Sequence, residues 1–357
     1  MDEFVLPPLP PKFDFDTVAI LKQLSKAHKA LAELKGFADQ IPNKEILINS
    51  LTLQEAKDSS EIENIITTQD ELFEALASES HHIPDNIKEV LNYRKALRFG
   101  FTQLQHRQLL TTNDIVAIQQ ELSGNNAGIR KQAGTVLRNA KTGEVVYTPP
   151  QDEAMIYELL ANLEKQINEP DELDPLIKMA ILHYQFESIH PFYDGNGRTG
   201  RILNILYLCL EGLLDAPILY LSGYIIRNKN DYYRLLQEVR VSNAWEEWTL
   251  YMLKGIEETA VRTLTKAKAI KELVDETSNE VKTKLPKIYK RELIDAIFTE
   301  VYTKTAHVEI ALDVERHAAA KYLKELEKIG ILTSQKRSRI VLYINPKLYA
   351  LLGEGIW

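Results

Sequence analysis

Between His190 and Arg201 the chain reads HPFYDGNGRTGR, which gathers one histidine, one aspartate, one asparagine, two arginines and three glycines into twelve residues. Gly195 and Gly197 flank Asn196, and a helical pattern resumes at Arg198 or Thr199. Successive backbone N–H groups in such a turn form a nest for an anion, and the start of the next helix adds the positive end of its dipole. Phosphate oxygens suit that concavity. Arg198 and Arg201 stand three apart, project from one side of the first turn, and supply two guanidinium groups, enough for more than one phosphate. Asp194, just ahead of the nest, is placed to hold a Mg2+ whose remaining ligands are phosphate oxygens and water. His190, with an ordinary pKa of about 6.5, can take a proton from an attacking hydroxyl. A base, a metal ligand, an anion nest and a charge clamp thus follow one another; a plain helix-to-helix turn needs none of them together.

Such parts need rigid elements to hold them. The preceding segment, DPLIKMAILHYQFESIH, opens with Asp174-Pro175 as an N-cap and first-turn pair and carries Ile177, Ala180, Ile181 and Tyr184 on an apolar face, so it reads as a helix that delivers His190 at its end. His183 on that helix reads as a packed core histidine. Apolar spacing of three and four predicts further helices over 16–36, 44–64, 68–79, 84–102, 113–122 and 150–167 before the motif, and over 201–210, 229–239 and 244–284 after it. One segment breaks the helical series. GTVLRNAKTGEVVYTPP, 134–150, has two short β-prone runs around Lys141-Thr142-Gly143 and ends at Pro149-Pro150, which predicts a hairpin. At the other end, Pro7, Pro8, Pro10 and Pro11 predict an extended arm lying across the surface. Pro286 is the best boundary candidate. Beyond it, three helical runs and a hairpin tipped by SQKRSR follow the order of a winged helix-turn-helix.

Composition sets outer limits. With 357 residues, 45% hydrophobic and 26% charged, the chain is an ordinary globular sequence with room for two or three domains. The net charge of −8 argues against a nucleic-acid coat. From Pro286 onward twelve Lys/Arg oppose nine Asp/Glu, a net +3, so only this tail offers phosphate contacts, at Arg316, Lys321, Lys336, Arg337 and Arg339. That excess is modest, and DNA binding is the minor expectation beside packing on protein. Cys209 is the single cysteine, which excludes an intrachain disulfide and a multi-cysteine metal site and reads as a small core residue. The stretch MDEFVLPPLPPKF is acidic and proline-rich and shows neither the basic n-region nor the apolar h-region of a secretory signal, and the longest apolar run, Ile202 to Leu210, holds Asn204 and stops at Glu211. The expectation is a cytoplasmic protein without membrane contact.

HPFYDGNGRTGR matches every specified position of H-x-F-x-[D/E]-G-N-G-R-x-x-R, and on these residues the chain resembles the Fic family. The resemblance implies a mainly α fold, with a Fic-type helical core, a β-hairpin flap and a C-terminal winged helix-turn-helix. It implies a protein adenylyltransferase that moves AMP from ATP, with Mg2+, to a Ser, Thr or Tyr hydroxyl of a target protein. Carried over, His190 is the base, Phe192 a core anchor and Asp194 the metal ligand. Gly195, Asn196 and Gly197 form the anion hole, Arg198 holds phosphate oxygens, Arg201 reaches the γ-phosphate, and Thr199 and Gly200 complete the ATP-binding stretch. The related Doc branch, which phosphorylates, carries a lysine where Gly197 stands, and this favours nucleotidyl transfer.

DSSEIENI, 58–65, places Ser59 and Glu63 four apart on a helix and resembles the family's inhibitory signature, read as Ser59, Glu63 and Asn64. A Glu63–Arg201 pair would occupy the guanidinium that the γ-phosphate needs. The hairpin resembles the flap that docks a target by strand addition, with Val136, Leu137 and Tyr147 as its contacts. NKNDYYRLLQEVR looks like the adenosine-side helix, with Tyr232 and Tyr233 near the base or ribose. The implied division is 1–105 for the region with the inhibitory helix, 106–260 for the catalytic core, and 261–357 for a linker helix and the winged helix. Two other readings stand beside transfer: a nucleotide-sensing transcriptional regulator built on a Fic module, and removal of AMP with Glu63 orienting water. A homodimer is left open.

Overall fold

The computed structural model describes residues 5–41, 43–77, 83–139, 142–337 and 340–353. Its elements run α1 (Val18–Ala38), α2 (Glu45–Ile62), α3 (Gln69–Ala77), α4 (Asp85–Arg107), α5 (Thr112–Ser123), β1 (Leu137–Arg138), β2 (Val145–Tyr147), α6 (Glu153–Asn168), α7 (Pro175–Ile189), α8 (Asn196–Leu210), α9 (Ser222–Arg227), α10 (Lys229–Ser242) and α11 (Trp245–Lys284). The C-terminal region continues with α12 (Arg291–Thr299), β3 (Tyr302–Thr303), α13 (Thr305–Leu312), α14 (Arg316–Lys328), β4 (Thr333–Arg337), β5 (Ile340–Ile344) and α15 (Pro346–Gly353).

The helix that ends at His190, α7, is the centre of the molecule. Every residue from Leu176 to Ile189 is buried, so this helix is packed all round rather than on one stripe. Asp174 caps it by accepting from the Leu176 N–H at 2.9 Å, and the buried Lys178 is held by Asp171 at 3.0 Å. Around α7 pack α6, α8 and the first half of α11. There the Trp248 indole N–H donates to the Ala180 carbonyl at 2.8 Å. α1 lies along α11, while α2 packs against α4, α9 and α12. The proline arm is docked more firmly than expected: Leu6 and Leu9 are buried, and Leu9 exchanges hydrogen bonds of 2.7 and 3.0 Å with the Asn162 side chain.

The fold is mainly helical, as its periodicity indicated. The hairpin is present but short, two residues pairing with three; Lys141 at its expected turn lies outside the described residues. Helix α8 starts at Asn196, ahead of the expected start, because Gly195 closes the loop in the left-handed region at φ 77°. The short α9 has too few turns to show a period. α11 runs unbroken for 40 residues through the expected boundary at 260/261, so that division falls inside a helix. The C-terminal region forms an antiparallel sheet of order β3-β5-β4 beside its helices, and its Arg316, Lys321 and Lys336 are exposed. Arg339 lies outside the described residues. Cys209 is only partly buried, packed against the core. Among the described residues no helix is long and apolar enough to cross a membrane.

Candidate active site

The loop between α7 and α8 is shaped from within. His190 ends α7 in the left-handed region, φ 48° and ψ 58°, and its N–H returns to the Phe186 carbonyl at 3.0 Å. Phe192 is fully buried. The Asn196 side chain staples the turn, accepting from the Phe192 N–H and donating to the Phe192 carbonyl, each at 2.8 Å. Asn196 therefore serves the site through its backbone, and the first-turn N–H groups of Asn196, Gly197 and Arg198 are those a helix leaves without partners of its own.

Both arginines of the motif are buried and occupied. Arg198 donates to Glu89 on α4 at 2.7 Å. Arg201 donates through Nε to the Ser59 hydroxyl at 2.8 Å, and through Nη2 to the Ser59 carbonyl at 2.9 Å and Glu63 Oε1 at 2.8 Å. Burial would pull the Arg201 guanidinium down, but the charges led by Glu63 outweigh it and hold it up; burial likewise lifts the Glu63 carboxyl while Arg201 carries it below the usual range. Both are ionised at neutral pH. A Cβ on Gly197 would lie 2.4 Å from Glu63 Oε1 and 3.0 Å from Arg201 Nη1, so the carboxylate sits directly against the nest. Asn64 ends α2 at φ 65°, which is the physical content of an asparagine or glycine after the glutamate: few other residues turn left-handed at that point without strain.

Asp194 is the open carboxylate. Its Oδ1 accepts from the Gly195 N–H at 2.7 Å, Oδ2 lies 3.6 Å from Arg198, and the side chain is 82% exposed. A largely exposed carboxylate beside the nest fits a Mg2+ whose other ligands would be phosphate and water. Among the described residues no group of three or more acids, histidines or cysteines forms a protein-only metal cage.

The His190 imidazole is pushed down to about 4, first by burial and then by the charge of Arg130. It is neutral at physiological pH, the form a base needs. Its Nδ1 is buried, and the backbone carbonyl of Glu187 favours the protonated ring against that burial. Glu187, one turn back, is buried with Oε1 unpartnered and is pushed up to about 7, chiefly by burial.

Several expected contacts face inward. Thr199 and Gly200 are buried, and a Cβ on Gly200 would meet Glu187 Oε1 at 2.6 Å, so Gly200 lets α8 pack closely on α7. Tyr232 is buried, its hydroxyl 2.8 Å from His183 Nε2, so it braces the site from behind. Its neighbour Tyr233 is 45% exposed and open to a ligand. Tyr147 is also buried: its hydroxyl donates to the Ser188 carbonyl at 2.9 Å and the Arg240 guanidinium stacks 3.9 Å from its ring, so it anchors the hairpin. Val136 and Leu137 are half-buried, and the exposed apolar residues of the hairpin are Val145 and Val146. Sequence reading missed Glu89, Glu187, Val145 and Val146; only the apolar pair had a local signal, two adjacent valines before a buried tyrosine.

A mainly helical chain with a glycine nest at a helix start, two buried arginines within it and a histidine closing the previous helix has the architecture of a Fic protein. The Fic/DOC family pattern matches residues 109–208, the Fic/DOC family N-terminal pattern 21–102, and the C-terminal domain of SoFic-like protein adenylyltransferases 273–348; the chain belongs to this family. It is 30% identical over 160 residues to the protein adenylyltransferase Fic of Nematostella vectensis, covering 42% of this chain and 34% of that protein. A probable protein adenylyltransferase of Aquifex aeolicus is 29% identical over 203 residues, 54% of this chain and 57% of that one. The chain thus spans about a third of the first relative's length and over half of the second's. Among solved structures, a Fic family protein from Desulfovibrio desulfuricans G20 superposes with a TM-score of 0.60 at 19% identity, over 94% of this chain and 98% of that one.

Proposed function

We propose that this protein is a protein adenylyltransferase held idle by Glu63. The observation that carries the proposal is the Arg201–Glu63 bond of 2.8 Å across the mouth of the nest, beside a neutral histidine. A carboxylate on that guanidinium occupies the place of a phosphate oxygen, which is what an anion site with its own inhibitor looks like. In the transfer, the target hydroxyl oxygen attacks the α-phosphorus of ATP, His190 accepts the hydroxyl proton, and the bond to pyrophosphate breaks, leaving AMP joined to the target. The nest N–H groups and Arg198 neutralise phosphate oxygens, and Arg201, once free of Glu63, holds the γ-phosphate. A Mg2+ at Asp194 would add charge neutralisation on the phosphates. The hairpin, with Val145 and Val146 outward, offers an edge on which an extended target segment can add as a strand.

Intact mass of candidate targets incubated with ATP, Mg2+ and the Glu63→Gly protein, freed of its inhibitor, tests this reading. A gain of one AMP is expected. A gain of one phosphate would mean Doc-type chemistry, and no gain, with nucleotide still bound, would leave a sensor. His190→Ala should keep ATP binding and abolish the gain; persistent transfer would remove His190 from the base role.

A further inference from the structure

We propose that Arg130 is the positioning residue for His190, clamping the end of α7 and the base of the hairpin into one unit so that the hairpin's placement and the imidazole's are set together. The inference deepens the proposed function and rests on His190 being the base.

Arg130 lies sixty residues before His190 and is 1% exposed. Its Nε donates to the His190 carbonyl at 2.9 Å; its Nη2 donates to the Pro150 carbonyl, where the hairpin returns, and at 3.4 Å to the Ile189 carbonyl. Its own backbone N–H donates to the Pro191 carbonyl at 2.9 Å, and Ile129 bridges to Phe192. No carboxylate is bonded to it among the described residues. The charge instead meets the last carbonyls of α7, which lack helical partners and sit at the negative end of the dipole. A planar fork that reaches three carbonyls fixes direction as well as charge, which a lysine could not do.

This clamp explains how a non-glycine residue stays in the left-handed region at φ 48°, where side chains are disfavoured. It also places an unneutralised cation beside the imidazole. Glu63 on α2, Arg240 on α10 and the Glu187 carbonyl on α7 are the other groups acting on that ring, and burial is the largest influence. Removing the Arg130 charge should therefore raise the His190 titration only part of the way toward its ordinary value.

The test uses the full chain with Arg130→Met and Arg130→Lys. In protein labelled with 13C in the histidine rings, with the His190 signal identified by its loss in His190→Ala, Arg130→Met should move the titration up by about one pH unit. Arg130→Lys should leave it near the wild-type value. Both should bind ATP within about twofold of wild type by calorimetry, while label transferred from α-labelled ATP falls on the order of tenfold or more, because the ring is misplaced. Wild-type titration and wild-type transfer in Arg130→Met would overturn the proposal. If that variant does not fold, Arg130→Lys decides alone: lost transfer at unchanged ATP affinity supports the clamp, and full transfer overturns it. Persistent transfer by His190→Ala would instead sink the base assignment, whatever the titration shows, so the two failures are distinguishable.

Discussion

Replacing Glu63 with glycine should switch the protein on. The residue closes α2 at φ −88° and ψ 13°, a conformation glycine adopts without strain, so the change removes a carboxylate and little else. What is lost is one charge-assisted hydrogen bond to Arg201, at 2.8 Å. Such bonds contribute roughly 1.5–3 kcal/mol; since the Glu63 side chain is 34% exposed, solvent screening places this one near the low end, about 2 kcal/mol. At 1.36 kcal/mol per factor of ten, that corresponds to roughly a 30-fold rise in transfer at sub-saturating ATP. Ser59 keeps Arg201 aimed through its hydroxyl and carbonyl, so the guanidinium stays where the γ-phosphate would meet it. The assay compares label from α-labelled ATP incorporated into protein by the two forms at equal concentration. Equal incorporation would refute the idea that Glu63 competes for Arg201. The pH sign can be worked out as well: a carboxyl held below its ordinary value supports the folded pair above about pH 4.5 and loses that support only as pH falls through its lowered value. Mild acidification to pH 6 should therefore leave the wild type idle.

Asn64→Val should lower Tm and raise basal transfer, since a β-branched residue at φ 65° costs about 1–2 kcal/mol next to Glu63; Asn64→Gly, checked by the same melt and labelling assay, should change neither. With its imidazole pushed down to about 4, His190 takes no proton in the folded state between pH 6.5 and 4, whereas the unfolded chain does. Stability should thus fall across that window on acidification, and denaturant melts of His190→Ala should show a shallower slope. Val145→Asp should cut modification of a protein target at least about tenfold while ATP affinity by calorimetry stays unchanged, because the valine is an exposed hairpin residue and not part of the nest; equal loss of both would displace the hairpin from target docking.

The twelve residues of the motif could be read before any fold was known, because their chemistry is local. A nest, a helix start and a histidine at a helix end are properties of consecutive backbone, and Gly195 and Asn196 do within five residues what the spacing implied. Ser59 and Glu63 were legible only through the motif, since two polar residues four apart describe many solvated helix faces. For Tyr147, Tyr232, Thr199 and Gly200 the local pattern was silent on direction. Each is a residue type that serves a ligand or the core equally well; the structure sets Tyr147 on Ser188, Tyr232 on His183 and Gly200 against Glu187.

Tertiary structure alone decided the partners that the chain brings from far away. The Arg201–Glu63 pair, 138 residues apart, was anticipated by the inhibitory signature, but Arg198 meets Glu89 across 109 residues and Arg130 reaches the carbonyls of Ile189 and His190 across about sixty. Nothing near those residues marks them, because a buried charge is paired by whatever the packing of α2, α4 and α7 brings within 3 Å, and a carboxylate's burial is a property of its neighbours. The sequence by itself set out a glycine turn at a helix start with two arginines after it and a histidine before it, because these are properties of consecutive residues; the fold set the Glu63 carboxylate on Arg201 and the Arg130 guanidinium on the His190 carbonyl.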